Sequence, residues 1–254
     1  EIRGLFAIGA RGRGGPVRRG GLRTRTKLFL GLTVAILVFD GLFVYLSYRE
    51  SREALQSSLD HQGREALRTF RTAKQLSMDS MLQLATLVGN QPDVQRLFRQ
   101  GARAVRREGG GKGGERAAHF RRALYRELGQ SWQGLQERFE FRQLHFHLPP
   151  GSTSFLRVHR PGKFGDNMDD TRHTVVAVNA RRESVTGFET GRLYSGLRGV
   201  VPVHAPDPAA EGEVFVGAVE AGISFQQMLE HLRQRNGFAA AVLLEEGHVA
   251  GAMW

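Results

Sequence analysis

The run Leu28–Leu46, LFLGLTVAILVFDGLFVYL, constrains this chain more than any other stretch. Nineteen residues with a single charge, rising about 1.5 Å each in a helix, match the ~30 Å hydrocarbon core of a bilayer. Arg3, Arg11, Arg13, Arg18, Arg19, Arg23, Arg25 and Lys27 precede it, opposed only by Glu1. Such a bias holds the preceding segment in the cytoplasm. Everything after Arg49 is then expected on the far side of the membrane. No small-residue cleavage site comes after the run; Ser47-Tyr48-Arg49-Glu50 does, so an uncleaved anchor is expected rather than a signal peptide. Asp40 lies inside the span. A carboxylate there either snorkels to the outer surface or pairs across a helix dimer.

Charge elsewhere is modest. Seven of the +11 net charges belong to residues 1–27, which leaves four for the rest. The basic segment reads as a lipid-facing charge run, with membrane lipid as its partner, and no nucleic-acid partner is expected. The chain has no cysteine, which excludes disulfides, thiolate metal sites and cysteine nucleophiles. It begins at Glu1 and stops at Trp254 directly after a strand-like run, so both ends read as cut.

Beyond the span, Leu55, Leu59, Ala66, Phe70, Ala73, Ser77, Met81, Leu84 and Val88 recur at helical spacing. One long amphipathic helix is expected over residues 49–90, reaching ~60 Å and ended by Asn90-Gln91-Pro92. Its apolar stripe needs a cover, either its own domain or the same helix in a homodimer. A shorter helix, DVQRLFRQGARAV, and the loop Gly109–Gly114 come next. That loop is no P-loop, since no Gly-Lys-Ser/Thr succeeds it. A further helix over 115–140 places Phe120, Leu124, Leu128, Trp132, Leu135 and Phe139 on one core-facing stripe.

The pattern changes at Phe141 to short alternating runs between turns. Strands are expected at Gln143–Leu148, Ser154–His159, Val185–Thr190, Leu197–His204 and Glu213–Gly222. A helix at about Arg172–Ala180 is expected between them, capped by Asp169 or Asp170. Ser224-Phe225-Gln226-Gln227 reads as a capping box opening a helix to about Arg235. The runs Phe238–Leu244 and His248–Met253 read as the start of a second sheet. The fold class is α+β, with a mostly antiparallel sheet.

Several runs carry a resemblance. They are His145-Phe-His-Leu-Pro-Pro150, Ser154-Phe-Leu-Arg-Val-His159, Lys163-Phe-Gly-Asp166 and Arg172-His-Thr-Val-Val176, with Asn179. Gly187-Phe-Glu189, Gly191-Arg192, Leu197-Arg-Gly-Val-Val-Pro-Val203 and Gly217-Ala-Val-Glu-Ala-Gly222 continue it, and Asp93–Phe98 and Trp132–Leu135 fit upstream. The segment resembles the double Cache sensor family found before diguanylate cyclases, chemoreceptors and sensor histidine kinases. The resemblance implies a PAS-like antiparallel sensor domain, periplasmic and placed between two membrane helices of the bacterial inner membrane. It divides the chain into a basic cytoplasmic segment (1–27), a transmembrane helix (28–46), a helical region (49–140), a first Cache module (141–235) and the start of a truncated second module (236–254). The amino-acid-binding signature of another Cache branch is not visible.

Candidate site residues come from side-chain chemistry. Arg157 and His159 share a strand face, and Arg172, Arg198, Glu189 and Glu220 lie on or beside neighbouring elements. Guanidinium holds a carboxylate or phosphate through two parallel hydrogen bonds. The expected contacts to a small-molecule ligand are Arg157, His159, Arg172 and Glu189, with Phe164 and Tyr194 as apolar walls. Arg198 with Glu220 is the expected internal salt bridge. His145 and His147, two apart on a strand, face one way; with His159 or His173 they could hold a divalent metal, although no spacing fixes a third ligand and the plainer reading is a hydrogen-bonded pair. The acidic loop 163–170 lacks EF-hand spacing. No nucleophile elbow, His-Glu-x-x-His or dinucleotide glycine pattern is present. The chain reads as a non-enzymatic, cofactor-free sensor; the alternative is a membrane-tethered binding or metal-binding protein without signalling output.

Overall fold

The computed structural model describes residues 24–191, 195–208 and 212–237, with Leu243 and Gly247 besides. The chain divides into two units, Glu1–Arg64 and Glu65–Trp254. The described part of the first is helical throughout and holds the apolar run, whose side chains are exposed. By length and composition this helix can cross a membrane.

Helix α1 (Thr24–Gly89) is followed by α2 (Pro92–Arg107) and α3 (Glu115–Phe139). Pro92 opens α2, where its missing N–H costs nothing. β1 (Gln143–Leu148), β2 (Thr153–Arg157), α4 (His173–Arg181), β3 (Val185–Thr190), β4 (Ser195–Pro206), β5 (Glu213–Ser224) and α5 (Phe225–Asn236) complete the order. The five strands form one antiparallel sheet in the order β2-β1-β5-β4-β3. The fold is α+β, as the alternation of the strands and the helical stripes imply.

Strand periodicity assigns the two sheet faces opposite chemistry. One face carries Leu144, Phe146, Leu156, Val201, Val203, Val219 and Ala221, all buried in a core shared with α1, α2 and α3. Phe98 of α2 sits at its centre, ring to ring with Phe146 at 5.1 Å and Phe155 at 5.4 Å. Met78 of α1, Leu197 of β4 and Met228 and Leu232 of α5 make a second cluster. The other face is polar, except where Val175 and Val178 of α4 cover Val200 and Ala218.

The α1 stripe is buried in the domain's core from Met78 onward, and Leu55 and Leu59 are exposed in the single chain. Other expectations need correction. Phe139 at the end of α3 is also exposed and stacks on Phe141, because the helix has by then run past the sheet it covers at Leu124, Leu128 and Trp132. Neither Asp169 nor Asp170 caps α4. The 168–172 turn, with Thr171 and Arg172 N–H donating to the Met168 carbonyl, delays the helix until Arg172 is the N-cap residue. Ser224 occupies the N-cap of α5 without a side-chain cap bond, and Gln227 instead donates to Glu140. The runs 238–244 and 248–253 lie outside the described residues, save Leu243.

Gly199 of β4 is where α1 crosses most closely. A Cβ there would run into the backbone of Met81 and Leu82. Gly199→Ala should therefore destabilise the fold by about 1–3 kcal/mol or more through overpacking. Gly134→Ala, on α3 with open space around it, should be neutral or stabilising. Urea unfolding of the two variants checks this, and equal midpoints would show that the close approach is not real.

Candidate functional site

The polar sheet face is built from one side of each strand. β5 places Glu220 at the centre, paired across the ladder with His145 of β1 and with Val200 of β4. His145 in turn faces Arg157 of β2, and Arg198 of β4 lies opposite Gly222. The Arg198 side chain lies along the sheet because both neighbouring positions lack a side chain. A Cβ at Gly196 would come within 2.8 Å of its guanidinium carbon, and one at Gly222 would meet Nη1 directly. The spacing Gly196-Leu-Arg198 with Gly222 on the partner strand is therefore a seat for one arginine.

Glu220 is fully buried. One oxygen, Oε1, lies 3.4 Å from Arg198 Nε and 3.5 Å from Arg172 Nε. The other, Oε2, is 3.1 Å from His147 Nε2 and 3.8 Å from His145 Nδ1. Burial alone would raise the Glu220 carboxyl, but Arg172, the hydrogen bond to His147 and Arg198 outweigh it and hold it far below the usual carboxylate range. His145 is buried and its Nε2 meets Ser154 Oγ at 2.8 Å. Desolvation, reinforced by His147 and Arg157, pushes its pKa well down. The Arg198–Glu220 bridge is thus present as expected, and Arg172 shares the same carboxylate.

Glu189 has two tasks. Its Oε1 accepts from the Thr174 N–H at 2.8 Å and from Thr174 Oγ1 at 2.7 Å. It thereby supplies, from β3, the cap that the α4 sequence lacks. Its Oε2 lies 3.6 Å from Arg172 Nη1. Arg172 therefore stands between two buried carboxylates at the foot of α4.

Above this cluster is a cavity of about 490 Å³, lined by Arg157, Lys163, Asp166, Arg172 and Arg198 among others. Arg157 forms its wall rather than an open hand. It donates through both terminal nitrogens to Asp166, at 2.8 Å each, and also to the Lys163 carbonyl. Those bonds lower the Asp166 pKa. The loop is anchored outside as well. Arg121 of α3 donates to the Phe155 and Lys112 carbonyls at 2.7 Å, with its guanidinium carbon 3.7 Å from the Phe164 ring centroid. Burial lowers Arg121 to about 10, so it remains a cation at neutral pH.

The expected contacts are thus separated. Arg157 and Arg172 line the cavity. Glu189 stands behind Arg172, and Phe164 packs on Arg121. His159 lines a different depression of about 600 Å³, with Glu140, Arg142 and Arg160. Tyr194 lies outside the described residues. Arg198 is the lining residue that side-chain chemistry alone assigns to a structural bridge. The acidic loop 163–170 spends Asp166 on Arg157 and Asp169 on Ser152.

The histidine pair finds its third donor in Glu220 rather than in His159 or His173. The three facing atoms lie within 4.8 Å of one another. Two guanidinium groups already share the carboxylate, so a dication there would sit beside two fixed positive charges.

A family profile described as the double sensory domain of two-component sensor kinases, of the double Cache type, matches residues 56–254. The chain belongs to this family. No curated protein matches it. Among solved structures, an extracellular ligand binding receptor from Desulfohalobium retbaense DSM5692 is 13% identical with a TM-score of 0.34; the likeness covers 67% of this chain and 28% of that receptor.

His159 gives the sensory domain a pH dependence of known sign. Burial lowers its pKa to about 4, outweighing the hydrogen bond to the Leu144 carbonyl, which acts in the opposite direction. Between about 4 and 6.5 the unfolded imidazole carries a proton that the folded one does not, so stability falls as pH falls. From pH 7 to pH 5 the loss should be about 2 kcal/mol. His145 adds to it with the same sign. Denaturant unfolding at the two pH values measures the loss, and His159→Phe should remove much of it.

Proposed function

We propose that this chain is the extracytoplasmic ligand-sensing region of a bacterial transmembrane receptor. The cavity over the Arg172–Glu220–Arg198 cluster carries this reading, because it is a concave site with convergent polar groups on the sheet face that α1–α3 leave uncovered, in a chain of a sensory family. Arg172 and Arg157 are the ligand-facing residues among those expected from the sequence. Glu189 orients Arg172, and His159 and Phe164 take no primary part.

In this reading residues 28–46 are the span and 1–27 lie in the cytoplasm against anionic lipid. Residues 49–140 form the helical region, 141–235 the first sensor module and 236–254 the beginning of a second. Ligand favours one of two packings by its difference in affinity between them, and α1 passes the change to the span as a piston, rotation or scissoring motion within a homodimer. The family description favours a kinase output over a cyclase or a chemotaxis domain.

The chain's lack of cysteine makes the topology directly testable. In spheroplasts, Arg106→Cys, exposed on α2, should react with a membrane-impermeant maleimide, and Thr24→Cys only after permeabilisation. The reverse pattern overturns the proposed orientation. For the ligand site, the full chain in nanodiscs is screened by thermal unfolding against a small-metabolite library. Hits should raise the Tm saturably and lose the effect in Arg172→Gln. Hits indifferent to that substitution would place the ligand elsewhere.

A further inference from the structure

The positive charge of the domain is concentrated on one pair of helices. Between Asp93 and Arg126 stand ten Arg or Lys residues against three Asp or Glu, a surplus of seven. Residues 28–254 as a whole carry only four net positive charges, so the remainder of that region is net acidic. Helical periodicity sorts the residues of α2. Val94, Leu97, Phe98, Ala102 and Val105 enter the core. Arg96, Gln100, Arg103 and Arg107, at steps of four, three and four, share the opposite face.

Some of these cations are spent inside the domain. Arg99 and Arg103 hold Asp207, Arg96 pairs with Asp93, and Arg121 donates to two carbonyls. The side chains of Arg106, Arg107, Lys112, Arg116, Arg122 and Arg126 are exposed and make no hydrogen bond or ion pair among the described residues. Helix stability does not account for them. Cations in the last turn of α2 suit its dipole, but Arg116 stands in the first turn of α3, the end that favours anions. Arg103 with Arg107, and Arg122 with Arg126, are like charges one turn apart, an arrangement that weakens a helix.

A groove of about 240 Å³ between the two helices is lined by Gln100, Arg103, Arg107, Arg116 and Phe120 among others. Glu108 lines it too, but its oxygens accept from the Gly114, Arg116 and Ala117 N–H groups and serve the start of α3. The surroundings exclude several partners. α2 exposes no large apolar side chain. A protein partner would need an apolar or aromatic anchor, a membrane-inserted helix a free apolar face, and a nucleic-acid strand a row of stacking aromatics. What α2 offers is guanidinium, spread over the ~16 Å from Arg96 to Arg107. That is too wide for one carboxylate or phosphate, and it suits a chain that repeats them.

We propose that the α2–α3 face binds an anionic polysaccharide, an extended sugar chain whose carboxylate or phosphate groups recur along its length. Guanidinium takes such groups through parallel hydrogen bonds, and release of the polymer's counterions supplies much of the affinity. The choice of a sugar polymer over nucleic acid rests also on the outward orientation proposed above. α2 and α3 cover the apolar face of the sheet and the cavity lies on the polar one, so the polymer and a small ligand do not compete.

The test uses the full chain in phosphatidylcholine nanodiscs, with a fluorophore on Glu115→Cys at the start of α3. Polygalacturonate should give a saturable change in 50 mM sodium chloride, and neutral dextran none. Arg107→Gln/Arg116→Gln/Arg122→Gln should weaken binding at least tenfold without loss of urea stability, and should lower the slope of log affinity against log salt by about 2. Arg18→Gln/Arg19→Gln/Arg23→Gln removes the same charge from the N-terminal segment and should change the affinity less than twofold. Equal losses in the two triple variants would mean that net charge alone is at work, and no saturable response would mean a merely solvated face; either result overturns the proposal. So does tighter binding of polyglutamate, of anionic vesicles or of single-stranded DNA, which assigns the face to a protein, a membrane or a nucleic acid. The maleimide pattern at Arg106→Cys separates the failures. A reversed pattern with single-stranded DNA preferred overturns the orientation together with the polysaccharide, whereas the outward pattern without polygalacturonate binding overturns the polysaccharide alone.

Discussion

A single buried carboxylate organises the polar half of this domain. Glu220 sits at the centre of the sheet, where it draws Arg198 from β4, Arg172 from the foot of α4 and His147 from β1 onto two oxygen atoms. Taking the carboxylate away would leave buried guanidinium charge uncompensated, a loss of order 3–5 kcal/mol for such pairs. The position of α4 depends on it. Arg172 is held by Glu220, Glu189 holds both Arg172 and the first turn of the helix, and the cavity is the space left over between that helix foot and the 158–170 loop.

The helical side depends on another kind of complementarity. It is apolar and closely packed, with Phe98 wedged between Phe146 and Phe155. Its energy comes from removing area from water, and its geometry from small residues where backbones meet. The two faces of one sheet thus do different work. One supplies stability, and the other accepts an electrostatic burden that the first makes tolerable. Buried ion clusters of this type add little net stability themselves.

Much of this was legible in the sequence. The limits of β1 and β3 come from alternation bounded by turn residues, and the expected Arg198–Glu220 pair is in place. The apolar span was plain because length and hydropathy alone define it. Capping was not legible. The α4 cap comes from Glu189, fifteen residues downstream of Thr174 and on another element, so no local motif encodes it. The separation of His159 from Arg172 was hidden for a similar reason. His159 stands just past the end of β2; its imidazole donates to the Leu144 carbonyl and its ring lies 6.2 Å from that of His145, so it stays beside the histidine pair and lines the neighbouring depression rather than the cavity. Glu220 as the third partner of the histidines required knowing that β5 lies beside β1, a fact of topology and not of spacing.

Arg198 and Gly199 are consecutive, and they look in opposite directions. The first forms the cavity floor. The second touches the main chain of α1 with no side chain between. Most strand-to-helix contacts are cushioned by rotatable side chains that can absorb a small displacement by changing rotamer. Here the contact is peptide against peptide, and peptides are stiff. A displacement of β4 on the cavity side would therefore meet Met81 and Leu82 directly, with no rotamer between to take it up.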